Sequence, residues 1–438
     1  MSFPKAKVFP ATARVNAQGH LTIGGCDVVS LAAQFGTPLY VFDEATLRGQ
    51  ARAFVQEFTR RHPDTRVVYA CKAFINVPLA RLLHGEGLGF DVVSGGEAAV
   101  LRAAGVPPQG VYFHGNNKGR QELEEALAWG IGRVVVDNLQ ELELLEELCA
   151  RTGRRQEVLL RVNPGVDPHT HHYTTTGVLD SKFGLPLQTG QAEQAVRRAL
   201  ASRHLRLMGL HFHLGSPIFE LEPYATATDL AVEFAARFRE EGFRLEELSP
   251  GGGFAIAYLE EQNPPSPAEY AETIVAALRS ACHRLGMALP RLVVEPGRAI
   301  VGPAAVAVYT VGVVKDIPGV RRYVAVDGGM GDNIRPALYE ARYEAVAANR
   351  MGDAPTARAT IAGKYCESGD ILVRDAPLPE VRPGDLIATP AAGAYAPAMA
   401  SAYNLNPRPA LVLVHDGQAR LIRRRESYED LVRLDVVE

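Results

Sequence analysis

Lys72 stands in VVYACKAF (67–74), directly after a short apolar run, in a chain with seven lysines against thirty-nine arginines. A lysine at the end of such a run is either a snorkelling surface cation or an amine placed to react with a carbonyl compound. Other residues able to do chemistry stand at the same kind of position. They are Asp91 in GFDVV, His114 and Asn116 after VYF, Asp137 and Asn138 after RVVV, and Arg161 and Asn163 in EVLLRVNPG. His213 and Ser216 follow in HFHLGS, Gly251 to Gly253 in PGGGF, and Glu295 to Arg298 in EPGR. Strand alternation sends His211 and His213 to one face. Glycines without a Cβ let backbone N–H groups approach an anion closely.

Eight apolar stretches must position these residues: 67–70, 89–93, 111–115, 133–138, 157–165, 207–215, 245–253 and 291–298. Val68, Phe90, Tyr112 and Val134 recur every 22 residues, with helical stretches such as GGEAAVLRAAG between them. Eightfold strand–helix alternation predicts a (β/α)8 TIM-like barrel over residues 40–295. An open doubly wound sheet is the alternative, but no GxGxxG opens the first βα turn. In a barrel all eight polar ends share one rim, and an anion site after strands seven and eight is a recurrent feature. An amine and a phosphate cradle on one rim suggest pyridoxal 5′-phosphate, although a sugar-phosphate aldolase would use the same pair. Glu295 separates the two. A carboxylate facing a pyridine nitrogen keeps it protonated and makes the ring an electron sink, which an aldolase does not need.

After residue 295 the texture changes to β-rich segments with Gly and Pro turns, and Asp416-Gly417 between apolar runs signals a hairpin. Residues 296–438 therefore read as a mostly-β domain, which the strand pair in residues 1–39 joins. A length of 438 residues fits two domains, and 47% apolar residues supply their cores. A net charge of −4 excludes a basic nucleic-acid face. Five scattered cysteines form no metal-spaced pairs, so reduced thiols and no metal are expected. No secretory h-region opens the chain and no apolar run approaches ~18 residues, so a cytoplasmic location and no membrane partner are expected.

The stretches YACKAF, FDVVSGGE, RVNPGVDPHTHHYTTTG, DSKFG, GLHFHLGS, PGGGF, EPGR, VDGGMGDNIRPALY, KYCESGD, GAYAPAMASAYN and RRESYEDL together resemble the alanine-racemase-fold pyridoxal-phosphate decarboxylases. GGMGDNIRPALY with CESGD resembles their diaminopimelate branch. The resemblance implies decarboxylation of meso-2,6-diaminopimelate to L-lysine and CO2, the last step of lysine biosynthesis. It implies that Lys72 carries the cofactor, that His213 stacks on its ring and that Glu295 meets the pyridine nitrogen. Asp91, Ser216, Gly252, Gly253, Gly297, Arg298 and Tyr395 would complete the cofactor site. Arg298, Arg335, Tyr339, Glu367 and Tyr395 would contact substrate. Cys366 would donate a proton in the neighbouring subunit's site, which makes a homodimer necessary. Departures from the family pattern are Pro217 after HLGS, Ala396 and Pro397 after Tyr395, and Ala402; they bear on the pocket wall.

Three rivals remain. A decarboxylase of ornithine, lysine, arginine or a carboxylated polyamine would handle a distal cation without the Arg335 and Glu367 combination. An amino-acid racemase would want two opposed bases and a weaker electron sink than Glu295 provides. A non-catalytic cofactor-binding barrel would need neither the β domain nor Cys366.

Overall fold

The computed structural model describes residues 5–167 and 180–436. The part of RVNPGVDPHTHHYTTTG from position 168 onward lies outside the described residues. The chain divides into one unit of residues 51–255 and 264–297, and another of residues 1–50, 256–263 and 298–438.

Eight parallel strands close the first unit into a barrel. They are β1 (Thr65–Ala70), β2 (Gly89–Val92), β3 (Val111–Phe113), β4 (Arg133–Val136), β5 (Gln156–Asn163), β6 (Leu205–His211), β7 (Glu247–Gly251) and β8 (Arg291–Val294). The ring closes where β8 pairs with β1, and β4 pairs with β5. Helices cover the outside, so the strands are buried on both faces and read as near-continuous apolar runs. Val68, Tyr112, Val135, Leu159, Met208 and Val293 form a cluster of the core. After β1, β2 and β4 a capping residue starts the helix that follows. Asn76, Ser94 and Asn138 each accept a hydrogen bond from the backbone N–H three residues on. Such caps keep the rim loops short.

The N-terminal ends of the strands, the barrel floor, carry a buried charge network. Glu247 is 1% exposed. It accepts from Arg133 Nε at 3.1 Å and Nη2 at 2.7 Å, from Arg291 Nη1 at 3.4 Å and from the Tyr112 hydroxyl at 3.2 Å. Arg133 also pairs with Glu157. The network ties β3, β4, β5, β7 and β8 together at the end remote from the chemistry-bearing residues.

The second unit is mostly β. Its large sheet runs in the order 371–378, 357–362, 321–326, 305–317, 39–43, 410–415, 418–423, with 386–389 also paired to 305–317. Read from sequence, the barrel begins near residue 40; the structure instead places Leu39–Asp43 in this sheet. The strand lies antiparallel to Ala305–Val308 and parallel to Ala410–Val414. All five of its residues are buried, and a fully buried run carries no alternation to say which sheet takes it. The opening strands Arg14–Val15 and Leu21–Ile23 form a separate three-stranded sheet with Cys26–Asp27 rather than entering the large one. Leu21 and Ile23 still share a core with Val41, Val306 and Val412. The Asp416-Gly417 turn has φ of 46° and 75°, the two left-handed positions of a type I′ hairpin. Among the described residues no helix is long and apolar enough to cross a membrane.

Candidate active site

The barrel rim gathers the expected groups. Lys72 lies in the turn Cys71–Ala73 that ends β1. The buried Tyr69 hydroxyl donates to the Phe74 carbonyl at 2.6 Å and holds that turn closed. Asp91, on β2, is 1% exposed, and neither of its carboxylate oxygens receives a hydrogen bond. Burial pushes its carboxyl up to about 8, while the Lys72 ammonium pulls the other way.

Glu295 follows β8. Ser249 Oγ donates to its Oε1 at 2.9 Å, and His211 Nε2 lies 3.2 Å from Oε2. His114 Nε2 is 3.4 Å from Oε1. Burial works to raise this carboxyl, but the His211 hydrogen bond and the Lys72 ammonium pull it below the usual range, so it stays ionised. Burial lowers the imidazoles themselves. His211 therefore serves Glu295 as a neutral N–H donor. His213 is also kept neutral, first by burial and then by Lys72 and Arg161. Its Nδ1 accepts from the Gly252 N–H at 3.2 Å, which leaves the proton on Nε2. His114, His211 and Glu295 also bring ligand atoms within 4.8 Å of one another, a donor set that suits a divalent cation as well.

The glycines after β7 are required by close approach. Gly251 and Gly253 have φ of 72° and 100°. A Cβ on Gly252 would strike the Glu295 carbonyl, and one on Gly253 the Gly215 carbonyl. At Gly297 a Cβ would meet Ala70 at 3.0 Å. Three rim segments, after β6, β7 and β8, thus meet backbone to backbone. Ser216 lies half-buried in the first of them.

Not every polar strand end faces chemistry. Asn138 is a helix cap, and Asn163 Oδ1 accepts from the Gly165 N–H within its own turn at 3.0 Å. Asp137 accepts from the Gly184 N–H at 3.1 Å and lies 3.8 Å from Arg161, whose guanidinium covers the Phe183 ring at 4.4 Å. Lys118 went unnoticed in the sequence. Its buried ammonium donates to Gly115 O, Val135 O and Glu141 Oε1 at 2.8, 2.7 and 2.6 Å, a structural tie beneath the rim.

The β unit holds a second cluster. Arg298 donates to the Tyr258 hydroxyl at 2.5 Å and covers the Tyr395 ring at 4.7 Å. Arg335 lies over the Tyr258 ring at 4.6 Å and donates to the Tyr343 hydroxyl. Burial works to raise the Tyr258 hydroxyl, yet the two guanidiniums take it below its ordinary value. Tyr258 and Tyr343 were not anticipated. The only signal was Tyr258 standing four residues after PGGGF. Tyr339 is half-buried on the helix Arg335–Tyr339. Cys366 and Glu367 lie exposed on a loop of the same unit, outside that buried cluster. The Cys366 N–H donates to Asn404 Oδ1 at 2.9 Å, and Tyr365 stacks on Tyr403 at 5.9 Å. Ala396 and Pro397 are buried, so these departures are packing residues, while Pro217 and Ala402 are half-buried.

Residues 44–302 match the model of the pyridoxal-dependent decarboxylase family's pyridoxal binding domain. A diaminopimelate decarboxylase of Bacillus subtilis (strain 168) is 50% identical over 426 residues, 97% of each chain. That of Halalkalibacterium halodurans is 46% identical over 98% of each. The crystal structure of diaminopimelate decarboxylase from M. jannaschii in complex with L-lysine superposes with a TM-score of 0.91 at 34% identity, covering 98% of both chains. A lysine/ornithine decarboxylase from Vibrio vulnificus complexed with cadaverine gives 0.75 at 26% identity, over 89% of this chain and 96% of the other.

Proposed function

We propose that this chain, which belongs to the pyridoxal-dependent decarboxylases and within them to the diaminopimelate decarboxylases, releases CO2 from meso-2,6-diaminopimelate to give L-lysine. The observation that carries the substrate reading is Arg335. It is 5% exposed and surrounded by phenols, and among the described residues no carboxylate pairs with it. A buried guanidinium without a carboxylate calls for an anionic ligand group. Diaminopimelate carries a second amino-acid centre, and a guanidinium can fork onto its carboxylate. Simple diamine precursors offer no such group.

Two features support pyridoxal 5′-phosphate at the rim. The Asp91 carboxyl group is buried with no hydrogen bond of its own, and the rim backbone at Gly251–Gly253 and Gly297 carries no side chains and packs too closely for a Cβ. Lys72 would hold the carbonyl carbon of the group, His213 its ring face, and Ser216, Gly252, Gly253 and Gly297 its phosphate. Glu295, ionised and fixed by Ser249 and His211, would hold a proton on the pyridine nitrogen. We assign it that role in preference to a cation. Bound, the cofactor supplies an electron-accepting ring that takes up the pair left at the α-carbon as CO2 departs. The remaining work falls to side chains. Arg298, Arg335, Tyr339 and Tyr395 orient the substrate, Glu367 takes its distal ammonium, and the Cys366 thiol delivers a proton to the α-carbon.

We assign Cys366 and Glu367 to the neighbouring subunit's site in a homodimer. Their exposure supports this, as do the exposed apolar neighbours Tyr403 and Leu405, the latter 68% exposed with φ of 53°. Strained, apolar and exposed backbone beside a reactive thiol suits a surface completed by a partner. The five unpaired cysteines, four of them buried, fit a reducing cytoplasm.

The test is CO2 release from meso-diaminopimelate by the cofactor-loaded protein, with L-ornithine, L-lysine and L-arginine in parallel. Release from diaminopimelate alone, with lysine as product, supports the reading. Release from a simple diamine precursor instead removes the role given to Arg335.

A further inference from the structure

The carboxylate of Asp370 closes the CESGD segment but has no part in the roles above. It is 3% exposed. One oxygen accepts from the Met330 N–H at 2.6 Å, the other from the Tyr365 N–H at 2.8 Å. Its own backbone completes the turn: its N–H donates to the Glu367 carbonyl at 3.1 Å, and its carbonyl accepts from Gly363 N–H at 2.9 Å. A Cβ on either Gly329 or Gly363 would lie on the carboxylate, so the group sits in a slot between two bare backbone segments.

Those segments are not arbitrary. The first runs from Gly328 into the helix Arg335–Tyr339. Within it Asp332 accepts from the Gly329 N–H at 2.9 Å, and Asn333 Oδ1 accepts from the Arg335 N–H at 3.3 Å. The second, residues 363–370, carries Cys366 and Glu367. A carboxylate offers two acceptor oxygens in a fixed fork, so one side chain fixes both segments by a charge-assisted bond to each.

We propose that Asp370 is a positioning residue that sets the Cys366–Glu367 turn and the Arg335 helix start against one another, so that proton delivery and substrate recognition are placed by a single clamp. The proposal rests on the roles given above to Cys366 and Arg335. An amide cannot replace the clamp, because Asn has one acceptor and would turn its NH2 toward the Met330 or the Tyr365 N–H. A longer Glu side chain does not fit a slot walled by two glycines.

The experiment is steady-state kinetics of cofactor-loaded Asp370→Asn beside Cys366→Ser and Arg335→Lys, with thermal melts of all three. We expect Asp370→Asn to lower kcat at least ~10-fold, as Cys366→Ser does, and to raise KM at least ~3-fold, as Arg335→Lys does. A merely structural Asp370 would lower the melting temperature and leave both constants at wild-type values, and that result overturns the proposal. If Cys366→Ser itself keeps full kcat, the donor role of the thiol has failed, and Asp370 is judged by KM alone against Arg335→Lys. Should Asp370→Asn not fold, the same two constants are read on Asp370→Ser, whose small side chain leaves the slot open to water.

Discussion

Glu247→Gln should destabilise the barrel and leave catalysis untouched. The wild-type carboxylate receives four donors: Arg133 Nε at 3.1 Å and Nη2 at 2.7 Å, Arg291 Nη1 at 3.4 Å and the Tyr112 hydroxyl at 3.2 Å. Glutamine keeps the volume but has no charge and one acceptor oxygen, and its NH2 must face a guanidinium. Breaking a buried pair by neutralising one partner costs ~3–5 kcal/mol. Arg133 retains Glu157 and Arg291 retains Asp64, so the lower end, ~3 kcal/mol, is expected. For a unit of this size 1 kcal/mol shifts the midpoint by ~2–4 °C, which predicts a fall of about 6–12 °C in the barrel transition. The network lies at the N-terminal strand ends and the chemistry at the C-terminal ends, so kcat and KM should stay within about twofold. Calorimetry and steady-state assays on one preparation read both. The pair Arg133→Met with Glu247→Leu should recover much of the loss, because it removes the stranded charge along with its partner. A melt unmoved by Glu247→Gln, or a large kcat loss without a shift in the melt, would refute the division of the barrel into a structural floor and a chemical rim. A double replacement as unstable as the single would refute the stranded charge as the cause.

Mixing Lys72→Ala with Cys366→Ala subunits, each inactive alone, should restore about a quarter of wild-type activity, since half the dimers are hybrids with one whole site each; no recovery would exclude a site shared across an interface. Gly252→Ala should weaken cofactor binding at least ~10-fold in an absorbance titration, because the new Cβ strikes the Glu295 carbonyl, whereas Gly49→Ala, with nothing within 4 Å, should not. Burial raises the Asp332 carboxyl to about 7. Its folded value lies above the unfolded ~3.9, so the native state binds the proton more tightly and stability falls as pH rises from ~4 through ~7. Asp332→Asn should remove that slope, worth about 2.5 kcal/mol across the window, from urea midpoints taken between pH 5 and 8; a variant that tracks the wild-type curve would show that Asp332 does not titrate there.

All eight barrel strands were legible because each is a short apolar run followed by a helix with a recognisable start, such as Ser94 before GGEAAVLRAAG. Lys72, Asp91, His213 and Glu295 were legible because they stand at the ends of those runs. Position along a strand does not say what a polar end is for. Asp137 and Asn138 are adjacent, yet one holds the Gly184 loop and the other caps a helix. Pairings made by the fold were invisible. Lys118 meets Glu141 from 23 residues away, and Tyr258 meets Arg335 from a loop that neither periodicity marks. Leu39–Asp43 misled because its burial pattern suits either sheet.

That same strand imposes an order on synthesis. Leu39–Asp43 leaves the ribosome early, but its neighbours in the sheet, Ala305–Val308 and Ala410–Val414, come last. At ~5–20 residues per second the strand waits tens of seconds with both hydrogen-bonding edges open, while the whole barrel is made behind it. A nascent chain cut short after the barrel would therefore display an unpaired LYVFD edge, a ready template for aggregation. The quality of the finished protein thus depends on what shields five residues during translation.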